Sequence, residues 1–324
     1  MTTATNPLVT FALFAYNQEK FIIDALQGAL AQTYSPLQII VSDDCSSDRT
    51  FDLVKKFLHT YKSSHEIILN RNDTNIGIAQ HVRKIASLAK GSIIIFAAGD
   101  DISEPFRTSS LVSVFATSPR TMAIFSDAYL INESNKLLGS FGIRLYRSRS
   151  TPLRRIVCKG GGIGSGATYA YRAICLTWPW MYPPNCNSED KLLPLRAALL
   201  GTVLHVPFKL VKVRKVSTSY SHSNHYIPAI CSRAHQHEIA LSIIAASKQG
   251  LIKRSSAYYL VNAARQNPVM AKRINDLNST PGMASSIVAN IIDIRRDKLS
   301  IIERVYVFLL RHVLRKNSNI LACD

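Results

Sequence analysis

Acidic residues are scarce in this chain: 21 Asp and Glu stand against 39 Lys and Arg, a formal net charge of +18 over 324 residues. A field of that sign favours phosphate-bearing ligands, whether nucleic acid, anionic lipid or a diphosphate. Cysteine is sparse too, at 45, 158, 175, 186, 231 and 323, without the paired short spacings of a zinc site or a disulfide framework. These are read as reduced thiols. Long apolar runs are missing: no window reaches the roughly 18 uninterrupted apolar residues of a membrane span. The N-terminus lacks the basic-then-apolar pattern of a secretory signal, so the chain is expected in the cytoplasm. With 14 glycines and 13 prolines it is neither collagen-like nor of low complexity, and 47% hydrophobic residues suffice for a buried core. Two phosphate-binding signatures are also missing: no Gly-x-Gly-x-x-Gly follows the first apolar run, and there is no Walker lysine motif.

What is present alternates. An apolar run at Leu8 to Ala15 precedes a helical stripe of Phe21, Ile22, Ala25, Leu26, Ala29 and Leu30. Gln38 to Ser42 reads as a second strand ending in Asp43-Asp44, with Ser46-Ser47-Asp48 placed to cap a helix over Thr50 to Tyr61. Ile67 to Asn70 and Ser92 to Ala97 read as further strands, separated by a helix from Ile78 to Lys90 that Gly91 is expected to close in a left-handed cap. The spacing predicts βαβ units, a mainly parallel α/β sheet with helices on both faces, and a ligand at the carboxyl ends of the strands. Past about Tyr220 only helical patterns remain. The division expected is a domain of residues 1–220, with halves at about 1–107 and 108–220, and a helical region of 221–324.

Polar residues gather at the predicted strand ends. Asp100-Asp101 places two carboxylates beside Gly99, an arrangement that suits a divalent cation with oxygen ligands and equally suits a helix cap. Asp43-Asp44 can accept hydrogen bonds from a nucleoside or cap a helix. Glu189-Asp190 opens a helix, where acidic residues complement the macrodipole or serve chemistry. Trp178, Trp180 and Tyr182 fit either a core or an acceptor-sugar platform. His222, His225, His235 and His237 lack partners at ligand spacing and read as surface residues. The last stretch, Ser300 to Lys316, has an apolar stripe flanked by arginines, suited to packing or to an anionic membrane surface.

Five short segments in register resemble the inverting family 2 glycosyltransferases of the GT-A fold: Ala15-Tyr16-Asn17-Gln18-Glu19, Gln32-Thr33-Tyr34, Val41 to Asp48, Asn75-Ile76-Gly77 and Ala97 to Asp101. The similarity continues through Gly164 to Arg172, Glu189-Asp190-Lys191-Leu192 and Leu210 to Arg214, covering roughly residues 7 to 220. It implies a Rossmann-like sheet binding a nucleotide-diphosphate sugar, a UDP-sugar, through Ala15, Tyr16, Glu19, Asp43, Asp44, Arg83, Asp100 and Arg214. It implies Mn²⁺ or Mg²⁺ on Asp101 and Asp100, and Asp190 as general base with Glu189 beside it. The acceptor implied is a glycan or lipid-linked glycan of a bacterial surface polysaccharide. Relatives often carry an acidic residue where Ala98 stands, and Tyr and His where Val213 and Val216 stand. A nucleic-acid binder needs basic residues interleaved with aromatic platforms, which the chain lacks. A non-catalytic glycan-binding relative is the other alternative, and the retained Asp44, Asp101 and Asp190 speak against it.

Overall fold

The computed structural model describes residues 6–142, 150–151, 153, 156, 164–177, 189–216, 233–253, 255–257 and 260. The chain divides into units of 1–270 and 271–324, the second lying outside the described residues, as does the expected helix from Ser300 to Lys316. Trp178, Trp180, Tyr182, His222 and His225 also lie outside them, together with the side chains of His235 and His237.

Among the described residues, β1 (Val9–Ala15), β2 (Leu37–Asp43), β3 (Glu66–Arg71) and β4 (Ile93–Ala98) alternate with α1 (Ile22–Leu30), α2 (Thr50–Thr60) and α3 (Ile78–Leu88). There follow β5 (Ile102–Ser103), α4 (Arg107–Ala116), β6 (Thr121–Ile131), β7 (Leu137–Phe141) and β8 (Ser150–Thr151). Then come β9 (Tyr169–Arg172), α5 (Ile174–Thr177), α6 (Glu189–Leu200), β10 (Thr202–Arg214) and α7 (Arg233–Lys248). They form one mixed sheet of order β3-β2-β1-β4-β9-β6-β10-β5, with β7 on β6 and β8 on β10. The run β3-β2-β1-β4 is parallel and so is β6 with β10, whereas β9 lies antiparallel between β4 and β6.

The central strands read as apolar runs because both faces are covered. Along β1, Phe11, Leu13 and Ala15 enter one core with α1 and α4, while Ala12 and Phe14 enter the other with α3, α6 and α7. The same alternation sends Ile93, Ile95 and Ala97 of β4 one way and Ile94 and Phe96 the other. Rings cross that second face from His81 through Phe14, Phe96, Tyr171, Tyr169 and Phe125 to His205, with neighbouring centroids 5.0–5.3 Å apart.

One cap differs from expectation. Helix α3 ends at Ala89 in extended conformation, and Gly91 is not left-handed. Gly91 instead allows close approach: a Cβ there would sit 2.3 Å from the Thr10 backbone nitrogen. Its own N–H donates to Thr10 Oγ1 at 2.9 Å. The requirement for glycine comes from a neighbouring strand, which local pattern does not reveal.

Candidate active site

Three loops at the carboxyl ends of β1, β2 and β4 lock together. Asn17 and Cys45 both have left-handed backbones, φ 52° and 60°, which turn the chain sharply off β1 and β2. Ser47 N donates to Asn17 Oδ1 at 2.8 Å, and Asn17 N donates to Ser46 Oγ at 2.9 Å. Ahead of α2, whose N-cap is Arg49, Asp48 Oδ1 accepts from Thr50 N at 2.9 Å, and its Oδ2 accepts from Glu19 N at 3.0 Å. Burial pushes the Asp48 pKa up, but these donors and the Thr50 hydroxyl outweigh it and hold the carboxyl below its usual range. Gly99 N donates to Phe14 O at 2.8 Å, and a Cβ at Gly99 would lie 2.3 Å from Gln18 Oε1. A side chain before the acid pair would therefore have to displace the end of Gln18.

The nucleoside-side residues differ in what their side chains already hold. Tyr16 is exposed at the mouth of its loop. Glu19 Oε2 accepts from Arg49 N and Nε, both at 3.1 Å, which lowers its pKa. Asp43 is buried, accepts from the Ser46 N–H and hydroxyl, and pairs with Arg71 Nε at 3.5 Å. Asp44 Oδ1 accepts from Asn72 Nδ2 at 2.7 Å and Ile76 N at 3.1 Å, and Oδ2 accepts from Gly77 N at 3.0 Å. Asp44 thus organises the Asn75-Ile76-Gly77 loop. Arg83 lies exposed on α3. Beneath Asp43 and Asp44, the buried His81 shares a 2.6 Å hydrogen bond with Ser42 Oγ; burial lowers its pKa against the pull of both carboxylates.

Asp100 and Asp101 place two adjacent carboxyls where burial disfavours their charged forms. Burial raises the pKa of Asp100, and burial together with the Asp100 charge raises that of Asp101 well above the usual carboxylate range. Two buried arginines stand close. Arg107 is fully enclosed, with Nη1 donating to Ser103 Oγ at 2.9 Å and Nη2 donating to Phe96 O and Ala167 O, both at 2.7 Å. Burial lowers its pKa to about 9 while Asp101 opposes that fall. Arg214 N donates to Asp101 Oδ1 at 2.8 Å. Its guanidinium, however, is directed into the scaffold: Nε donates to Asp100 O at 2.9 Å and Nη2 to Asp24 Oδ2 at 3.2 Å. Arg214, expected among the nucleotide-sugar-binding residues, thus has its guanidinium engaged by the scaffold.

The second acid pair opens α6. Gly166, in a single 3₁₀ turn before β9, approaches it so closely that a Cβ would meet Glu189 Oε1 at 3.2 Å and Asp190 Cβ at 3.4 Å. Ala167, the next residue, gives its carbonyl to Arg107 beside Asp101. The Gly166-Ala167 segment thus lies between Glu189-Asp190 and Arg107, whose charge acts on Asp101. Asp190 is buried and faces Lys191 Nζ at 3.6 Å. Burial and the adjacent Asp190 push the Glu189 pKa up to about 8. At pH 7 Glu189 is therefore held neutral. We expect activity to fall on the alkaline side with an apparent pKa near 8, and Glu189→Gln, a permanent neutral mimic, to remove that limb of the pH profile. An unchanged limb in this variant contradicts the assignment. The folded value lies above the ordinary 4.5, so stability also declines as pH rises from 4.5 through about 8.

The donor set of Asp100 and Asp101 fits a hard, oxygen-preferring cation: two adjacent carboxyls supply oxygen ligands. Among the described residues no group of three or more His, Cys, Asp or Glu is gathered for a metal. Such a site is completed by substrate phosphate and water rather than by a protein cage. Arg107 escaped the sequence reading, because a lone arginine opening a helix resembles any surface charge. Its only sequence signal is its place six residues after Asp101.

Residues 10–165 match the family model described as Glycosyl transferase family 2. The match spans just under half of the chain, which over that stretch is similar to this family. Proteins similar to this chain include an uncharacterized protein of Mycobacterium tuberculosis, 32% identical over 214 residues, 64% of this chain and 59% of the relative. Another is the UDP-Glc:alpha-D-GlcNAc-diphosphoundecaprenol beta-1,3-glucosyltransferase WfaP of Escherichia coli, 29% identical over 38% of this chain and 47% of that one. The chain thus spans about half to three-fifths of the length of these curated relatives. Its fold is that of Staphylococcus aureus TarS, solved with UDP-GlcNAc, at TM-score 0.61 and 17% identity over 78% of this chain and 70% of that one. The mannosyltransferase PcManGT of Pyrobaculum calidifontis, solved with GDP-Man and Mn²⁺, aligns over 99% of this chain and 89% of its own at TM-score 0.53 and 15% identity.

Proposed function

We propose that the protein transfers a sugar from a nucleotide-diphosphate donor, a UDP-sugar, to a hydroxyl of a glycan acceptor with inversion at the anomeric carbon. The observation that carries this reading is the placement of Gly166-Ala167 between Glu189-Asp190 and Arg107, whose charge acts on Asp101. The donor's nucleoside lies along Ala15, Tyr16, Glu19, Asp43 and Asp44, with Arg83 at the periphery and Asp100 near the ribose. Asp101, with Asp100, would hold Mn²⁺ or Mg²⁺, which when bound supplies positive charge against the diphosphate as it departs.

Asp190 accepts the proton of the acceptor hydroxyl as that oxygen bonds to the anomeric carbon and the bond from that carbon to the diphosphate oxygen breaks. A sugar hydroxyl is a poor nucleophile near neutral pH, and a positioned base contributes roughly 10²- to 10⁴-fold. Neutral Glu189 adds a hydrogen-bond donor beside Asp190 without a second negative charge. Gly166 leaves room for a sugar ring to approach the acid pair.

The acceptor fits a lipid-linked glycan of bacterial surface polysaccharide synthesis, supported by the diphosphoundecaprenol acceptor in the name of the Escherichia coli relative. In this reading the protein works at the cytoplasmic membrane face, with Ser300 to Lys316 meeting anionic lipid. Among the described residues no helix is long and apolar enough to cross a membrane. The test is nucleotide release from a panel of UDP-, GDP- and dTDP-sugars with Mn²⁺. UDP-sugar turnover is expected. Silence across the panel, together with steeply salt-dependent binding to DNA or RNA, would favour the nucleic-acid alternative.

A further inference from the structure

We infer that Arg214 is a positioning residue that braces the Asp100-Asp101 loop across the two halves of the catalytic domain, an inference that rests on the metal assignment proposed above. Its side chain is fully buried, and its guanidinium lies over the Phe21 ring, 4.5 Å from the centroid. Four N–H donations leave it in three directions. Nε holds the Asp100 carbonyl at 2.9 Å, Nη1 holds the carbonyls of Asn132 and Glu133 at 3.0 and 3.1 Å, and Nη2 meets Asp24 Oδ2 at 3.2 Å. Asp24 and Asp100 belong to the nucleotide half. The 132–133 turn and the end of β10 belong to the acceptor half.

A planar fork of fixed donors is suited to such a junction, and a lysine cannot reproduce it. The backbone N–H of the same residue fixes Asp101 Oδ1, so one position controls both the carbonyl of the first carboxylate residue and the carboxylate of the second. Groups that orient a metal ligand from behind set its affinity without touching the metal. Asp24 extends the brace by one step: it is half-buried on α1 and also accepts from Asn135 Nδ2 at 3.0 Å.

Two variants separate a brace from a diphosphate ligand. Arg214→Met removes the fork and keeps the backbone N–H to Asp101. Asp24→Asn weakens the anchor at its far end and loosens the guanidinium. Calorimetry then reads two affinities: Mn²⁺ with UDP saturating, and UDP alone in EDTA. The brace predicts that Mn²⁺ affinity falls roughly tenfold to a hundredfold in Arg214→Met and in the same direction, less steeply, in Asp24→Asn, with UDP affinity in EDTA unchanged. A diphosphate ligand predicts the reverse: Arg214→Met loses UDP affinity in EDTA, while Asp24→Asn binds UDP as well or better. That pattern overturns the inference, and so does wild-type Mn²⁺ affinity in both variants. If Arg214→Met does not fold, Asp24→Asn alone decides by the direction of its Mn²⁺ affinity. A wild-type protein that takes up no Mn²⁺ in the presence of UDP refutes the metal assignment itself, and the brace with it.

Discussion

Asp190→Asn is expected to lower kcat by about 10²- to 10⁴-fold while leaving donor affinity close to wild type. The substitution is isosteric and sits in the first turn of α6, so packing of Leu192, Leu193 and Leu195 into the core is untouched. What disappears is the basic oxygen that takes the acceptor's proton. The neighbouring Glu189 cannot replace it at pH 7, because burial and the Asp190 charge keep it protonated up to about 8 in the wild type. In the variant the repulsion from Asp190 is gone, so the Glu189 pKa falls and a small residual activity should grow as pH rises. Steady-state kinetics across pH, beside UDP titrations, check both statements. A variant with wild-type kcat at pH 7 excludes Asp190 as the base.

Asp101→Asn is expected to remove Mn²⁺-dependent turnover, by roughly 10³-fold if the cation contributes several kcal/mol to the departing diphosphate. Asparagine keeps an oxygen that can accept the Arg214 N–H and removes one buried negative charge next to Asp100. The fold should therefore hold, with a melting temperature close to wild type, since relief of the Asp100 repulsion is set against loss of the charge opposite buried Arg107. Loss of activity with retained stability is the signature of a ligand kept for function. Equal UDP affinity with and without Mn²⁺ in the variant, against a clear difference in wild type, completes the expected pattern. Metal-dependent UDP binding that survives the substitution contradicts the assignment.

Much of this site was legible in the sequence because its carboxylates fall at the ends of strands that announce themselves. Ile39 to Val41 and Ile93 to Phe96 are apolar on both faces, so β2 and β4 stand out, and Asp43-Asp44 and Asp100-Asp101 follow directly. What stayed hidden is non-local. The insertion of β9 antiparallel between β4 and β6 depends on a pairing across more than 70 residues from β4, which no local period encodes. The burial of Arg107 and Arg214 was hidden because an enclosed guanidinium depends on carbonyls supplied by distant loops, at Ala167 and Asn132. Gly91 was misread for the same reason, since its neighbour is Thr10. Asp44 was legible as a site residue, but its bonds to Ile76 N and Gly77 N require a loop that only the folded chain brings over.

A crystal structure with Mn²⁺ and a non-transferable UDP-sugar analogue tests the union of the two acid pairs most directly. The account predicts density for the cation on Asp101 and for the anomeric carbon on the side of the sugar facing Asp190, with Gly166 against the ring. A donor whose sugar points away from α6, or a cation bound without Asp101, would contradict it.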